Sequence, residues 1–406
     1  MRHLRNQKGM ALLLAVFTVV LITYLANEVS YETNVEYAVN ANAVNKLKAY
    51  YAAESGLKLS LLRIKLYTSV MKQFGSSIPK DKVQLLDMIW NFPFVWPPIL
   101  PDEATEVDKD NIKASIKESK MDANYRADIF DEGSKIDIND LASPSKGLRE
   151  ITRKLIEGIF ENRSKNDEAW GKNNQDTDFT KIINNITDWI DDDQQSLNGG
   201  NESQFYQSPS YEIPDNLSYP PNRSFRSVDE LRLVAGMTEE VFQMLKERVT
   251  VYGTKAINPN YVKSEVLQAI DFSITPEVAA KVIARRNNPQ EGGPFIDEAD
   301  FWNYVNRAGA RVDASVQQSV PLTFDAVFNF RIRSTGEFSN STREITAIVY
   351  DVASSASAVA KNVMREAVNS GAASTTSTQA GRPGAGTNTN DPLHKGPPRL
   401  VYFSER

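Results

Sequence analysis

The strongest pattern along the chain is an unbroken apolar run near the N-terminus. From Met10 to Asn27, 18 residues (MALLLAVFTVVLITYLAN) carry no formal charge. As a helix rising about 1.5 Å per residue, the run spans roughly 27 Å, close to the thickness of one hydrocarbon core. Arg2, Arg5 and Lys8 precede it, and Glu28 and Glu32 follow it. That asymmetry directs the N-terminus to the cytoplasm and everything downstream to the other side of the membrane. The helical pattern does not stop at the run. Residues 28–66 hold one glycine, Gly56, and no proline, while Leu47, Tyr50, Tyr51, Leu57, Leu61 and Ile64 recur three to four apart. This spacing predicts an amphipathic helix continuous with the apolar run, about 55 residues in all, within residues 10–75. A cleavable secretory signal, a single-pass anchor and a prepilin-type signal all begin this way. The first ends in a break of helix, which is missing here.

Further along, the periodicity changes. Residues 76–120 include SSIPK and NFPFVWPPILPDEA and read as an irregular connector. Tyr125–Phe130 and Lys135–Asn139 alternate around the turn Asp131-Glu132-Gly133-Ser134, a hairpin signal closing a connector region over 76–139. Residues 140–320 turn helical with loops. Ala326–Arg333 and Glu344–Tyr350 form a second hairpin candidate within 321–353, and residues 354–406, rich in Ala, Ser, Thr and Gly, predict a disordered tail. The fold class expected is α+β: a long N-terminal helix packed on a small antiparallel sheet, with a large helical domain inserted between the hairpins.

Composition narrows the chemistry. The 406 residues carry a net charge of −6, which disfavours broad nucleic-acid binding. There is no cysteine, so neither disulfides nor thiolates are available, and the two histidines, His3 and His394, lie at opposite extremes. Histidine triads and zinc sites are thereby excluded from the centre of the chain. Against this background residues 187–202 stand out. Asp188, Asp191, Asp192, Asp193 and Glu202 fall there with no lysine or arginine among them. Two readings compete: a solvated acidic loop closing a helix, or a site for a hard divalent cation. Calcium takes six to eight oxygens, and Asp191 and Asp193 can converge if the chain turns between them. Gly199 and Gly200 permit a tight return that brings Glu202 back. The spacing is not that of an EF-hand.

Several segments, in order, resemble the general secretion pathway protein K family, the K-type minor pseudopilins of type II secretion. Lys8-Gly9-Met10-Ala11-Leu12-Leu13 is similar to a prepilin processing site. DEGSKIDINDL, ITDWIDDDQQSLNGGNESQFY, and Asn222-Arg223-Ser224 with Val228–Arg232 resemble the family's later signatures. The resemblance implies a leader over residues 1–9, cleavage by prepilin peptidase after Gly9, and methylation of Met10 as the new N-terminus. It also implies an inner-membrane subunit with a periplasmic globular part, assembled with other minor pseudopilins on an inner-membrane platform. Most relatives carry glutamate at the fifth mature position, whereas K-type members lack it; here the residue is Leu14. A subunit without that carboxylate cannot neutralise its neighbour's amine, which suits the end of a filament and a role in starting its assembly. The resemblance further implies calcium, with Asp191, Asp193 and Glu202 as ligands and Asp188 as a lesser one. Ser203 replaces an acid of the family pattern.

Residues 257–302 are similar to a helix-hairpin-helix (SAM-like) unit, and 231–249 to a weaker copy. Its turn, Asp271-Phe272-Ser273-Ile274-Thr275, lacks the glycines that present amides to phosphate and carries an aspartate instead, leaving only Arg285 and Arg286 to touch a nucleic-acid backbone. A membrane-anchored DNA-binding protein and a minor pilin priming a type IV pilus are the alternatives to pseudopilus assembly. The clustered acids cannot be given separate acid and base roles, so no enzymatic activity is expected.

Overall fold

The computed structural model describes residues 8–74, 80–99, 105–207, 219–324, 328–369 and 399–406. Helix α1 (Lys8–Phe74) leads. A 3-10 segment (Lys80–Ile89), β1 (Phe94–Trp96), α2 (Glu106–Glu118) and β2 (Asn124–Asp131) follow. Next come β3 (Ile136–Asp137), α3 (Lys146–Asn166), α4 (Glu168–Asn173), α5 (Phe179–Ile190), α6 (Glu239–Lys246) and β4 (Val249–Thr250). Helices α7 (Ser264–Ile270), α8 (Pro276–Asn287), α9 (Glu298–Ala308) and α10 (Ala314–Ser319) lead to β5 (Phe330–Phe338) and β6 (Ser341–Tyr350). Helix α11 (Val352–Asn369) and β7 (Arg399–Glu405) complete the described chain.

The expected long helix is present and, at 67 residues, exceeds the predicted length. It is long and apolar enough in its N-terminal part to cross a membrane. Its C-terminal half lies on an antiparallel sheet of order β1-β2-β5-β6-β7. The seam differs from the predicted stripe. Leu57 and Ile64 are buried and Tyr50 and Leu61 half-buried as expected, but Leu47 and Tyr51 are exposed, and Ala49, Ala52, Ala53 and Tyr67 are buried in addition. Small residues win because the helix rides very close to the strands. A Cβ at Gly336 of β5 would overlap the Ala49 carbonyl, and one at Gly56 would overlap the Ser334 side chain. Below this contact Tyr67, Trp90 and Phe330 pack edge to face, with centroids 5.2–6.2 Å apart. Arg63 of α1 donates to the carbonyls of Ile89, Trp90 and Phe92, pinning the segment that leads into β1.

The second hairpin forms as β5 and β6, paired from Phe330↔Val349 to Phe338↔Ser341. The first does not form. β2 pairs with β1 and β5, whereas Ile136-Asp137 pairs in parallel with Val249-Thr250. The turn after β2 does not reverse the chain, because buried Glu132 commits it elsewhere. The Glu132 carboxylate accepts from Thr250 Oγ1 at 2.6 Å and from Arg331 at 2.6 and 2.8 Å. The chain therefore leaves the sheet at β2, builds a helical body, and returns at the neighbouring β5. That body has its own core, centred on Phe160, Ile183, Trp189, Phe242, Leu267 and Phe301.

Two other expectations need correction. The connector over 76–120 holds an edge strand, β1, and a capped helix, α2, whose Thr105 hydroxyl accepts from the Asp108 amide. The supposed tail over 354–406 is not disordered throughout, since it contains most of α11 and all of β7. Alanine-rich 352–369 is a good helix former, and Glu366 on it accepts from Ser145 Oγ and from the Lys146 and Gly147 amides, capping α3. Residues 1–7 of the predicted leader and 370–398 of the predicted tail lie outside the described residues.

Candidate functional site

The acidic segment folds back on itself and gathers three of its acids. Helix α5 starts at Asp178, whose carboxylate accepts from the Lys181 amide, and ends with Asp191 as its C-cap. Asp188 and Asp191 are three apart, so they share one face of the last helical turn. The chain then reverses. Gln195 bridges Asn201, the Ser196 amide donates to the Gly200 carbonyl at 3.1 Å, and Gly199 and Gly200 adopt φ of +87° and +83°. Those left-handed conformations, which glycine adopts without strain, return Glu202 to the helix end. One carboxylate oxygen from each of Asp188, Asp191 and Glu202 falls within 4.8 Å of the others.

The floor beneath is aromatic. Trp189, 1% exposed, stacks on Phe225 at 5.3 Å and meets Tyr206 and Tyr219 at 6.3 and 5.5 Å. Glu202 itself is only 2% exposed. Burial on this apolar bed is expensive for a charged carboxylate. It pushes Glu202 up to about 7, helped by the neighbouring Asp191 and Asp188. Asp191 is pushed up to about 6 by burial and by Asp193, Asp188 and Asp192. Asp188 also rises through burial, partly offset by Ser196 Oγ at 2.7 Å and the Leu197 amide at 3.1 Å. The C-terminal end of α5 adds its own negative partial charge.

Beyond the Ser196 and Leu197 donors to Asp188, no lysine or arginine is paired with these carboxylates among the described residues. Both Glu202 carboxylate oxygens and Asp191 Oδ1 are buried without a hydrogen-bond partner. Asn222 is near Glu202 but spends its side-chain amide on the Asp193 carbonyl. Arg153, whose field reaches Asp188, is held by Asn184 and Glu157. Orphaned oxygens converging on one point, with no lysine or arginine paired to them among the described residues, are of the type that could hold a hard cation. A groove of about 650 Å³, lined by Asn139, Arg149, Arg153, Asp191, Asp192 and Ser224 among others, gives access from solvent.

The structure thus brings together Asp188, Asp191 and Glu202, and does not bring in Asp193. The Asp193 carboxylate is exposed and accepts from the Gln195 amide at 2.7 Å, fixing its own turn. Asp188, the lesser candidate by resemblance, is the best-held of the four. Sequence reasoning missed Ser196 and Asn198. Ser196 holds Asp188, and Asn198 bonds Asn184, Asn185 and the Lys181 carbonyl. Their only signal was a run of short polar residues between the acids and the glycine pair. Ser203 turns to Asn201 and takes no part.

Elsewhere, Gly9 and Met10 lie in the first turns of α1, with Met10 and Leu14 exposed. Helices α7 and α8 join through the expected hairpin. In the weaker copy, Val228–Leu233 is a 3-10 turn ahead of α6. Both candidate arginines are structural: Arg285 pairs with Asp300 at 2.7 Å over the Phe295 ring, and Arg286 donates to the Pro259 and Val262 carbonyls.

Residues 134–254, which begin just after β2 and contain the acidic loop, match the family model described as type II secretion system (T2SS), protein K. A protein of Escherichia coli strain K12 named for type II secretion system protein K is 23% identical over 315 residues, covering 75% of this chain and 82% of its own. A chain in the crystal structure of the GspK-GspI-GspJ complex of the enterotoxigenic Escherichia coli type 2 secretion system overlaps with a TM-score of 0.42. The identity is 16%, and the overlap covers 57% of this chain and 76% of that one. Residues 134–254 thus form a domain similar to type II secretion system protein K.

Proposed function

We propose that this chain is a minor pseudopilin that caps the tip of a type II secretion pseudopilus, helps to start its assembly, and holds calcium in its acidic loop. The observation that carries the reading is where the protein K domain sits. It lies within the stretch of chain that leaves the sheet at β2 and re-enters at β5, two strands paired side by side. A helical body with its own core is therefore mounted on a pilin-like helix and sheet. Repeated at every step of a tightly wound filament, such a body would collide with its neighbours, whereas at the end it has room.

Leu14 agrees with that position. After removal of residues 1–9 by prepilin peptidase, Met10 would carry the methylated terminal amine in the inner membrane. Leu14 brings no carboxylate to neutralise a neighbour's amine, and such a charge is expensive to leave alone in hydrocarbon. The globular part then faces the periplasm, where other minor pseudopilins and the inner-membrane assembly platform are its partners. Asp188, Asp191 and Glu202 would be the calcium ligands, with backbone oxygens and water completing the shell, and Asp193 would act only through its field. Secretion through a filament needs no catalysis by this subunit.

The test is co-purification of the detergent-solubilised chain with other minor pseudopilins, in calcium and in chelator. A stable heteromeric complex is expected. A monomer under every condition would contradict the reading. Leu14→Glu is expected to let the subunit spread along the filament, and an unchanged position would remove that part of the account.

A further inference from the structure

The last described strand is unusual in how little it buries. β7 pairs with the outer edge of β6 from Ile345↔Glu405 to Tyr350↔Arg399, with a register shift at Ile348/Val349. Glu344 and Arg406 exchange both backbone hydrogen bonds at 2.9 and 3.0 Å beyond its end. Its side chains add little. Leu400, Val401 and Phe403 are 48, 40 and 48% exposed. The core under the sheet draws Ile345, Ala347 and Val349 from β6, and no residue of β7 belongs to a core cluster among the described residues. Main-chain hydrogen bonds therefore hold this strand, as in strand addition to an open edge.

The connection matters equally. Residues 370–398, 29 in all, separate α11 from β7. A chain of that length reaches at most about 100 Å. Because the link is covalent, pairing within one chain is favoured at low protein concentration. Without the strand, β6 would present a row of unpaired amides and carbonyls, which invites pairing with another chain.

We propose that Arg399–Glu405 is an exchangeable cap, and that the β6 edge is an acceptor for the same strand of a second copy of this chain. The register on β6 fits this strand, and reciprocal exchange between two copies preserves every hydrogen bond while costing no core contact. In dilute solution the tethered strand wins. Where copies crowd to comparable local concentration, each can cap the other.

The chain has no cysteine, so introduced thiols report without background. Thr346 and Ser404 are directly opposite and line the same cleft between the sheet and the helical body, which suits a cross-strand disulfide. In the detergent-solubilised full chain, Thr346→Cys with Ser404→Cys should close an intrachain bond at low concentration. Differently tagged Thr346→Cys and Ser404→Cys chains, mixed and concentrated or placed in one vesicle, should form an interchain bond. Its yield should exceed several-fold that of Thr342→Cys with Ser404→Cys, since Thr342 pairs with Glu337 beyond the reach of β7. Failure of the intrachain bond, or an interchain yield no better than that control, would overturn the proposal. So would loss of the intrachain bond only when a different pseudopilin is added, which would assign the edge to that subunit.

Discussion

Two groups of buried acids in this protein meet opposite fates. Where the sheet joins the helical body, Glu132, Asp137 and Asp140 are almost fully buried, and each has a cation. Glu132 takes Arg331 and, at 3.4 Å, Lys135; Asp137 and Asp140 share Lys255, the latter at 2.9 Å. Burial alone would lower Lys255, but the two carboxylates beside it hold it above its ordinary value. In the acidic loop, Asp188, Asp191 and Glu202 converge with no lysine or arginine paired to them among the described residues. The junction is internally neutralised and welds two parts of the chain. In the loop burial disfavours the charge, and the proposed calcium would have to come from outside. The same side chains thus act as glue in one place and, on the proposed reading, as a receptor in the other; the difference lies in what the fold places opposite them.

The sharpest way to break the comparison is to remove the junction's cation. Lys255→Met leaves Asp137 and Asp140 buried together without it, and should cost about 3–5 kcal/mol in chemical denaturation. A cost below about 1 kcal/mol would mean that the junction is no better compensated than the loop. The opposite sign is expected in the loop. Glu202→Gln removes an orphaned charge, so in chelator it should be neutral or stabilise by about 1–3 kcal/mol, and it should abolish any response to calcium.

The pH dependence follows from the direction of the shifts. Asp191 and Glu202 have folded pKa values of about 6 and about 7, above those of the unfolded chain. Their protonated forms favour the fold, so their stabilising contribution is complete below about pH 4 and is lost as pH rises through 6 and 7. In chelator, stability should therefore fall over that window by roughly 2–4 kcal/mol on their account. Calcium, which keeps these groups ionised, should flatten that fall. Asp131 and Asp140, also raised to about 7 by burial, contribute a decline that metal leaves untouched. The loop's share is thus the difference between the chelator and calcium curves, and identical curves would remove it. The smallest effect is reserved for Asp193→Asn. Its carboxylate is exposed and turned to Gln195, so it should shift stability by less than about 0.5 kcal/mol and leave calcium affinity within a fewfold.

How far the sequence reaches depends on where the deciding contacts lie. Helix α1, hairpin β5–β6 and the helical insertion are written in local periodicity, and the structure repeats them. The Gly199-Gly200 return was likewise legible, because its demand on the backbone is local. The hairpin expected around Asp131–Ser134 failed because its fate is set by Thr250 and Arg331, 118 and 199 residues away. Periodicity cannot report partners at that distance. Helix α11 and β7 were hidden by composition averaged over one long polar segment, though RLVYFSE is a plain strand pattern once isolated. Spacing allows Asp191 and Asp193 to converge, and the resemblance adds Asp193 to the ligands; the fold instead sets Asp188 beside Asp191, one helical turn before it, a relation that counting along a loop does not reveal.

The account rests on the claim that the acidic loop is completed by a divalent cation, and thermal unfolding of the full chain in chelator and in millimolar calcium tests it most directly. At a hundredfold excess over its dissociation constant, calcium should stabilise by about 2.7 kcal/mol. The result predicted is a clear rise in melting temperature that Glu202→Gln eliminates and magnesium does not reproduce in full. Coincident melting curves with and without calcium, or a rise that survives Glu202→Gln unchanged, would contradict it.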